Sequence, residues 1–339
     1  MIKKGNLSAS LLNWLMSTLQ LGPGIGDVFH LVENSSNYHV WLANQKIAGD
    51  HIFHTLAAAY AAMTANRNDV VCVYPGDYAG TTALTWAKDQ AHLIGMSHNV
   101  EGDHTQGGPN IYTSTALVAH TIDITGNRCH FQNLKLANAG ANAANLGAAL
   151  VEGYGNVFRN VNFMGIMDAA QIASANPYSL GIAPGGYFPL FEDCIIGQCT
   201  WGPRTQAASG HLKFKVTGAG VYPADGGIFR RCRFLSWAET VTIPMVYVPI
   251  QGAIAPLDRM WLFDDCIFYN FYQSSATKMN QVFDDNCTTT HHIILKKSSA
   301  IGYDEWQDAD YAGKYIQADM PIVGLGGGLM TPPTAVTGS

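Results

Sequence analysis

Three acidic doublets are the residues of this chain best suited to hydrolytic chemistry: Glu192-Asp193, Asp264-Asp265 and Asp284-Asp285. Glycosidic cleavage takes two carboxylates across a cleft, one protonating the leaving oxygen and the other serving as base or nucleophile. Such a pair can also be assembled from different parts of a folded chain. The twelve histidines raise metal binding. His51 and His54 are three apart and His291-His292 are adjacent, but neither sits in an HExxH motif or beside an acidic partner at ligand spacing. The seven cysteines are odd in number, widely spread and without a CxxC pair, so they form neither a disulfide framework nor a zinc site and are expected as reduced thiols. The glycine run at 324–328 lacks the Lys-Ser/Thr of a phosphate-binding loop. No catalytic residue, cofactor-binding residue or metal ligand is expected.

Composition narrows the class. Of 339 residues, 47% are apolar and only 13% charged, about half the usual charged share. That is ample core material and excludes a disordered chain. A net charge of -6 supplies no basic footprint, so direct nucleic-acid binding is not expected. The first 22 residues combine Lys3 and Lys4 with an apolar stretch, but Asn13, Ser17, Thr18 and Gln20 interrupt it and no small-x-small site follows, so it is not read as a secretory signal. No run approaches the length of a membrane span.

Those residues must be positioned by a repeat. Six segments share the form apolar-x-polar-apolar-x-apolar: FQNLKL (131–136), FRNVNF (158–163), FEDCII (191–196), FRRCRF (229–234), FDDCIF (263–268) and the weaker LKKSSA (295–300). Their starts lie 27, 33, 38, 34 and 32 residues apart. A wandering period with a constant motif describes a coil of strands joined by loops of varying length. Within each motif the first residue points inward and the second outward. The third sits at a bend where a left-handed backbone is tolerated, and the fourth and sixth point inward again. Stacking at about 4.8 Å per rung then aligns Phe131, Phe158, Phe191, Phe229, Phe263 and Leu295 in one inner column. A second inner column holds Leu134, Val161, Cys194, Cys232, Cys266 and Ser298. Without a histidine column beside them, the three cysteines read as small buried side chains.

The outer column runs Gln132, Arg159, Glu192, Arg230, Asp264, Lys296, and the bend column ends Asp193, Arg231, Asp265, Lys297. Sign alternates at every rung from Arg159 onward. Opposite charges on neighbouring strands favour one register by roughly 0.2–1 kcal/mol a pair, so these carboxylates read as register control on a solvated face rather than as catalysts. Ile195 and Ile267 share an outward column with Lys135, Asn162, Arg233 and Ser299 and are expected as exposed apolar contacts for oligomerisation.

An alanine-rich helix is expected within 51–65, followed by NDVVCVYPGDY (68–78) and AHLIG (91–95). A helix, a strand ending in Pro-Gly-x-Tyr and a strand ending in Gly resemble the opening of pectin-lyase-like β-helices. The resemblance covers roughly 50–305 and implies an all-β, single-stranded right-handed parallel β-helix whose N-terminal helix caps the first rung. It does not carry the enzymes' marks: neither WxDH nor RxPxxR is present, Arg204 has no companion arginine, and the aspartate doublets occur without GHG or RIK. At a coarser level, 69–78, 261–270 and 300–306 resemble β-helix proteins encoded among the head and structural genes of tailed phages.

Three regions follow: an N-terminal docking arm (1–49), the β-helix (50–305) and an extended C-terminal tail (306–339) expected to take its order from contacts with another copy or another protein, through Leu329, Met330, Pro332 and Pro333. The function these readings imply is a non-enzymatic virion structural protein, a capsid-associated or decoration protein on the head surface, made in the host cytoplasm. Its partners would be other virion proteins, the major capsid protein foremost, with self-association as a homo-oligomer, a trimer by analogy, and a surface glycan as a further ligand. The alternative is a tailspike-type receptor-binding protein that degrades polysaccharide.

Overall fold

The computed structural model describes residues 26–45, 47–102, 107–198, 210–218, 220, 222–250, 252, 254–271, 279–287 and 291–307, and the backbone of 315–317. Within them every strand pairing is parallel. The chain visits three faces in turn. Face one takes the strands at Val70–Val73 and His92–Gly95, face two those at Gly76–Ala79 and Pro109–Thr113, and face three those at Leu84–Trp86 and His120–Ile124. The circuit completes eight turns among the described residues, ending with Tyr303–Gln307 on face three.

The coil extends past both limits expected from sequence. Val28–Leu31 already stacks on Val70–Val73, and Ile52–Phe53 pairs with its other edge. At the far end Tyr315–Gln317 adds a strand beyond Ile293–Leu295. The signal missed at 28–31 is weak because VFHL is an isolated four-residue strand with no motif after it. The alanine-rich helix is shorter than its sequence, Leu56–Ala62, with the Thr55 hydroxyl accepting from the Ala58 amide as its cap, and it buries Leu56 and Ala59 against the core. An eight-residue helix, Asn37–Asn44, lies in the supposed arm. Residues 1–25 and the tail anchors Leu329, Met330, Pro332 and Pro333 lie outside the described residues.

The six motifs stack as the repeat requires. Phe131, Phe158, Phe191, Phe229, Phe263 and Leu295 are register partners on consecutive turns. The five phenylalanines are fully buried, their rings 4.5–5.1 Å apart with planes within 7–11° of parallel. The third residue of every motif has positive φ: Asn133, Asn160, Asp193, Arg231, Asp265 and Lys297, between 50° and 58°. This single left-handed residue turns the chain from face one to face two and resets the in–out alternation. Asn133 and Asn160 support each other, the Asn160 amide donating to Asn133 Oδ1 at 2.8 Å.

A second left-handed corner, where face three returns to face one, has no sequence motif. Asn68, Gln90, Arg128, Gly155, Phe188, Gly226 and Arg259 occupy equivalent places on consecutive turns with φ from 52° to 66°. Their side chains differ too much to be read as a column, because this corner is held by backbone pairing on either side rather than by a side-chain ladder. Arg259 ends this series with a bulge: Gly226 is in register with it, yet Ile228 pairs with Leu262, so the fully buried Trp261 is accommodated over Gly227.

Two expectations test this geometry. Replacing Asn160 by Ala puts a Cβ-bearing residue without a local partner into the left-handed region, which costs about 1–2 kcal/mol, and removes its hydrogen bonds as well. Asn160→Gly keeps the backbone and loses only the bonds, so its loss in chemical denaturation should be clearly smaller; equal losses would show that the corner conformation is not what Asn160 supplies. The second concerns pH. His92 and His130 meet at the face-three-to-face-one corner, the His130 amide donating to His92 Nδ1 at 3.1 Å. Burial first, and then the neighbouring His130, holds His92 down to about 3; burial and Arg159 hold His130 down to about 4. The unfolded chain therefore takes up protons near pH 6.5 that the folded chain refuses. Stability is full above that value and falls as pH drops from about 6.5 toward 4. Titrating unfolding free energy against pH should show this slope, and His92→Gln should flatten it.

Candidate functional site

The sequence-nominated carboxylates are not brought together around a cleft. Glu192, Asp193 and Asp264 are drawn into an ion-pair ladder on the outside of face one, while Asp265 at the bend stays exposed. Arg159 Nε lies 2.9 Å from Glu192, which also meets Arg230 at 3.7 Å and Arg231 at 2.9 Å. Arg231 holds Asp193 as well, its Nε and Nη2 at 2.8 and 2.9 Å from the two oxygens. Asp264 sits between Arg230 at 3.6 Å and Lys296 at 3.5 Å. These partners, Asp193 before Glu192, raise the Arg231 guanidinium above its ordinary range. Asp284 and Asp285 point to opposite faces. Asp284 accepts from the Asn286 amide at 2.8 Å on the outside, whereas Asp285 is buried within the coil against His291 at 2.6 Å. One member of that doublet is therefore beyond reach of a ligand.

The other candidates are structural too. His291 and His292 do open a strand, and His54 precedes the capping helix with its Nδ1 2.8 Å from the Val32 carbonyl. His51 stacks on Phe29 at 5.3 Å. Among the described residues no three His, Cys, Asp or Glu side chains are grouped to hold a metal ion. Cys194, Cys232 and Cys266 are free, fully buried thiols, and each donates to the carbonyl of the phenylalanine on the turn below: Phe158, Phe191 and Phe229, at 3.4–3.5 Å. Ser298 continues the column by donating to Phe263 at 3.0 Å. That shared hydrogen bond explains why a small donor recurs there. Cys199 and Arg204 lie outside the described residues.

On face three a chain runs from the partly exposed Asp123 through His120 to the buried Tyr178, at 2.5 and 2.6 Å. Its geometry would suit a proton relay, but Tyr178 is completely enclosed, packed over Gly147 and Gly181. It serves to pin the segment before Leu180 onto the sheet.

Face two carries a concavity of about 370 Å³. Its outward column runs Asp77, Asn110, Lys135, Asn162, Ile195, Arg233, Ile267, Ser299. The segment after Gly95 leaves the second turn and crosses this face as a strap. The His98 and Val100 carbonyls accept from Asn160 and Asn162 at 3.3 and 2.8 Å, and Glu101 reaches Arg233 on the sixth turn at 2.6 Å. The expected apolar surface is corrected accordingly: Ile267 is exposed, but Ile195 is only 4% exposed, and Lys135 and Asn162 are buried with it. The repeat dictates which side chains face in or out of the coil, whereas the strap comes from a loop of irregular sequence. Beside the strap a cleft of about 370 Å³ spans four turns, from Asn162 and Met164 to Ile267 and Tyr269, with Phe271 at one end. Gly197, at φ 90°, ends the strand on its floor and leads to Gln198.

No protein-family model matches the chain, and no curated protein matches it. Solved structures do resemble it. An aspartate-to-alanine mutant of a pectin methylesterase in complex with a hexasaccharide superposes with a TM-score of 0.51 at 15% identity, over 84% of this chain and 82% of that one. The pectin methylesterase from Yersinia enterocolitica gives 0.47 at 14% identity, over 75% and 81%. Pectate lyase Pel9A gives 0.46 at 12%, over 83% and 64%. At such identity the likeness is one of fold. The chain has a right-handed parallel β-helix fold, the fold of the pectin methylesterase on which it superposes at a TM-score of 0.51.

The ladder yields a direct expectation. Glu192→Lys would replace three attractions with three repulsions; at roughly 0.2–1 kcal/mol for each pair lost and each repulsion gained, stability falls by about 2–3 kcal/mol, and more at low salt. Denaturation of wild type and variant at two salt concentrations checks it. A salt-independent difference would mean that packing, not charge, is what Glu192 contributes.

Proposed function

We propose that the chain is a non-catalytic structural protein of a tailed-phage particle, capsid-associated or decorating the head surface, with the β-helix as its rigid body. The observation that carries the non-catalytic part is the fate of the carboxylates. Glu192, Asp193 and Asp264 are engaged by cations on neighbouring turns and Asp285 is buried, which leaves the exposed Asp265 for the double variant below to test. A glycosidase needs one carboxyl group free to protonate and another free to attack. The particle setting rests on the resemblance of 69–78, 261–270 and 300–306 to phage β-helix proteins. Association with the major capsid protein and a homotrimeric state belong to the same proposal.

One observation favours a second reading, a polysaccharide-acting receptor-binding protein. The fold is shared with a pectin methylesterase whose structure holds a hexasaccharide. Fold alone hosts unrelated chemistries, so the decision falls to assay. Wild type should release no reducing sugar or methanol from acidic or neutral bacterial polysaccharides or from pectin. Sugar released by wild type but not by the Asp264→Asn, Asp265→Asn double variant would transfer the function to the second reading.

A further inference from the structure

We infer that the outside of face one is a contact between two copies of this chain, packed antiparallel about a two-fold axis that passes between the sixth and seventh turns. The inference deepens the self-association proposed above by naming a face and a symmetry, and it stands or falls separately from the three-fold arrangement.

Two outward columns define the surface. Val157, Leu190, Ile228, Leu262 and Ile294 are register partners on the fourth to eighth turns. Each directly precedes a residue of the inner column, so it points outward. All five are half-buried and lie outside the core. A strand with one solvated face alternates apolar with polar, so an unbroken aliphatic row on the outside is a contact surface in waiting. Beside it runs the charge ladder, which changes sign by whole turns. Glu192-Asp193 stands on the fifth turn, Arg230-Arg231 on the sixth, Asp264-Asp265 on the seventh and Lys296-Lys297 on the eighth.

The alternation decides what covers the row. A two-fold axis parallel to the strands sets a second copy on face one with its turns in reverse order. With the axis between the sixth and seventh turns, the fifth turn meets the eighth and the sixth meets the seventh. Every doublet then faces a doublet of opposite sign, while Leu190 meets Ile294 and Ile228 meets Leu262. Moving the axis by half a turn brings like charges together, and moving it by a whole turn leaves doublets unmatched. A face-one contact about an axis along the coil keeps the turns level and also opposes like charges. Charge complementarity of this kind fixes orientation and register more than it adds affinity. Asp265 is a second, independent sign. Asp193 is held by Arg231, and Asp264 lies between Arg230 and Lys296. The exposed Asp265 carboxylate has no ion-pair or hydrogen-bond partner among the described residues. In the antiparallel pair it lies opposite Arg231 of the second copy. Four turns at about 4.8 Å and four residues a turn at about 3.3 Å outline a small contact, so the association should be micromolar or weaker and sensitive to salt.

Sedimentation velocity of the full chain, from micromolar to millimolar concentration and at low and high salt, tests this. Wild type should show a doubling step that high salt weakens about tenfold or more. Asp265→Lys and Arg231→Asp should each abolish the step alone, since each sets like charges opposite one another twice. An equimolar mixture of the two variants should regain it, because both contacts of the mixed pair again join opposite charges. Arg231 also holds Asp193 and Glu192 within its own chain. If Arg231→Asp melts early, the outer pair, Asp193→Lys mixed with Lys297→Asp, carries the same test. A mixture that associates no better than either variant alone, a doubling step indifferent to salt, or wild type that stays monomeric at millimolar concentration would overturn the inference. A trimer that persists unchanged in every variant would overturn it and leave the three-fold proposal standing. A charge-dependent dimer with no trimer would do the reverse.

Discussion

The structure depends on one backbone conformation, a single left-handed residue at the corner between face one and face two on six successive turns. It turns the strand sharply without a loop, so the side chains on either side return to the interior at a fixed offset. Only that offset lets five phenylalanines stack with near-parallel rings and lets each Cys or Ser reach the carbonyl of the ring below it. Left-handed geometry costs an L-residue about 1–2 kcal/mol. In the earlier turns asparagine meets it with its own side-chain hydrogen bonds. In the later ones Arg231, Asp265 and Lys297 adopt it because stacking on both sides leaves no alternative.

Charge has a secondary, selective role. A parallel coil with smooth apolar columns could slip by one turn and bury almost the same surface. Alternating signs along Arg159, Glu192, Arg230, Asp264 and Lys296 make a slipped pairing repulsive. The same arrangement engages Glu192 and Asp264 with cations on the neighbouring turns.

Face two is organised differently. Its outward residues are not uniformly solvated, because the strap from the second turn crosses them and reaches the sixth. The strap covers Asn162, whose amide donates to the Val100 carbonyl, and a cleft lies beside it. This concavity lies where a loop departs from the repeat, while the regular faces supply rigidity.

The sequence by itself determined the repeat, the inward columns, the left-handed bend, the charge ladder and the free state of Cys194, Cys232 and Cys266. All of these follow from rules acting over a few residues or between neighbouring turns, so spacing and residue type suffice. It did not reveal the second left-handed corner, whose occupants range from Gly155 to Phe188, because backbone pairing on both sides imposes that conformation whatever the side chain. Nor did it reveal the first strand at Val28–Leu31, the burial of Ile195 and Lys135, or the meeting of Glu101 with Arg233 across 132 residues. Those depend on where a loop of irregular sequence comes to rest. Only the folded coil decides that, because the strap's partners lie on turns formed far along the chain.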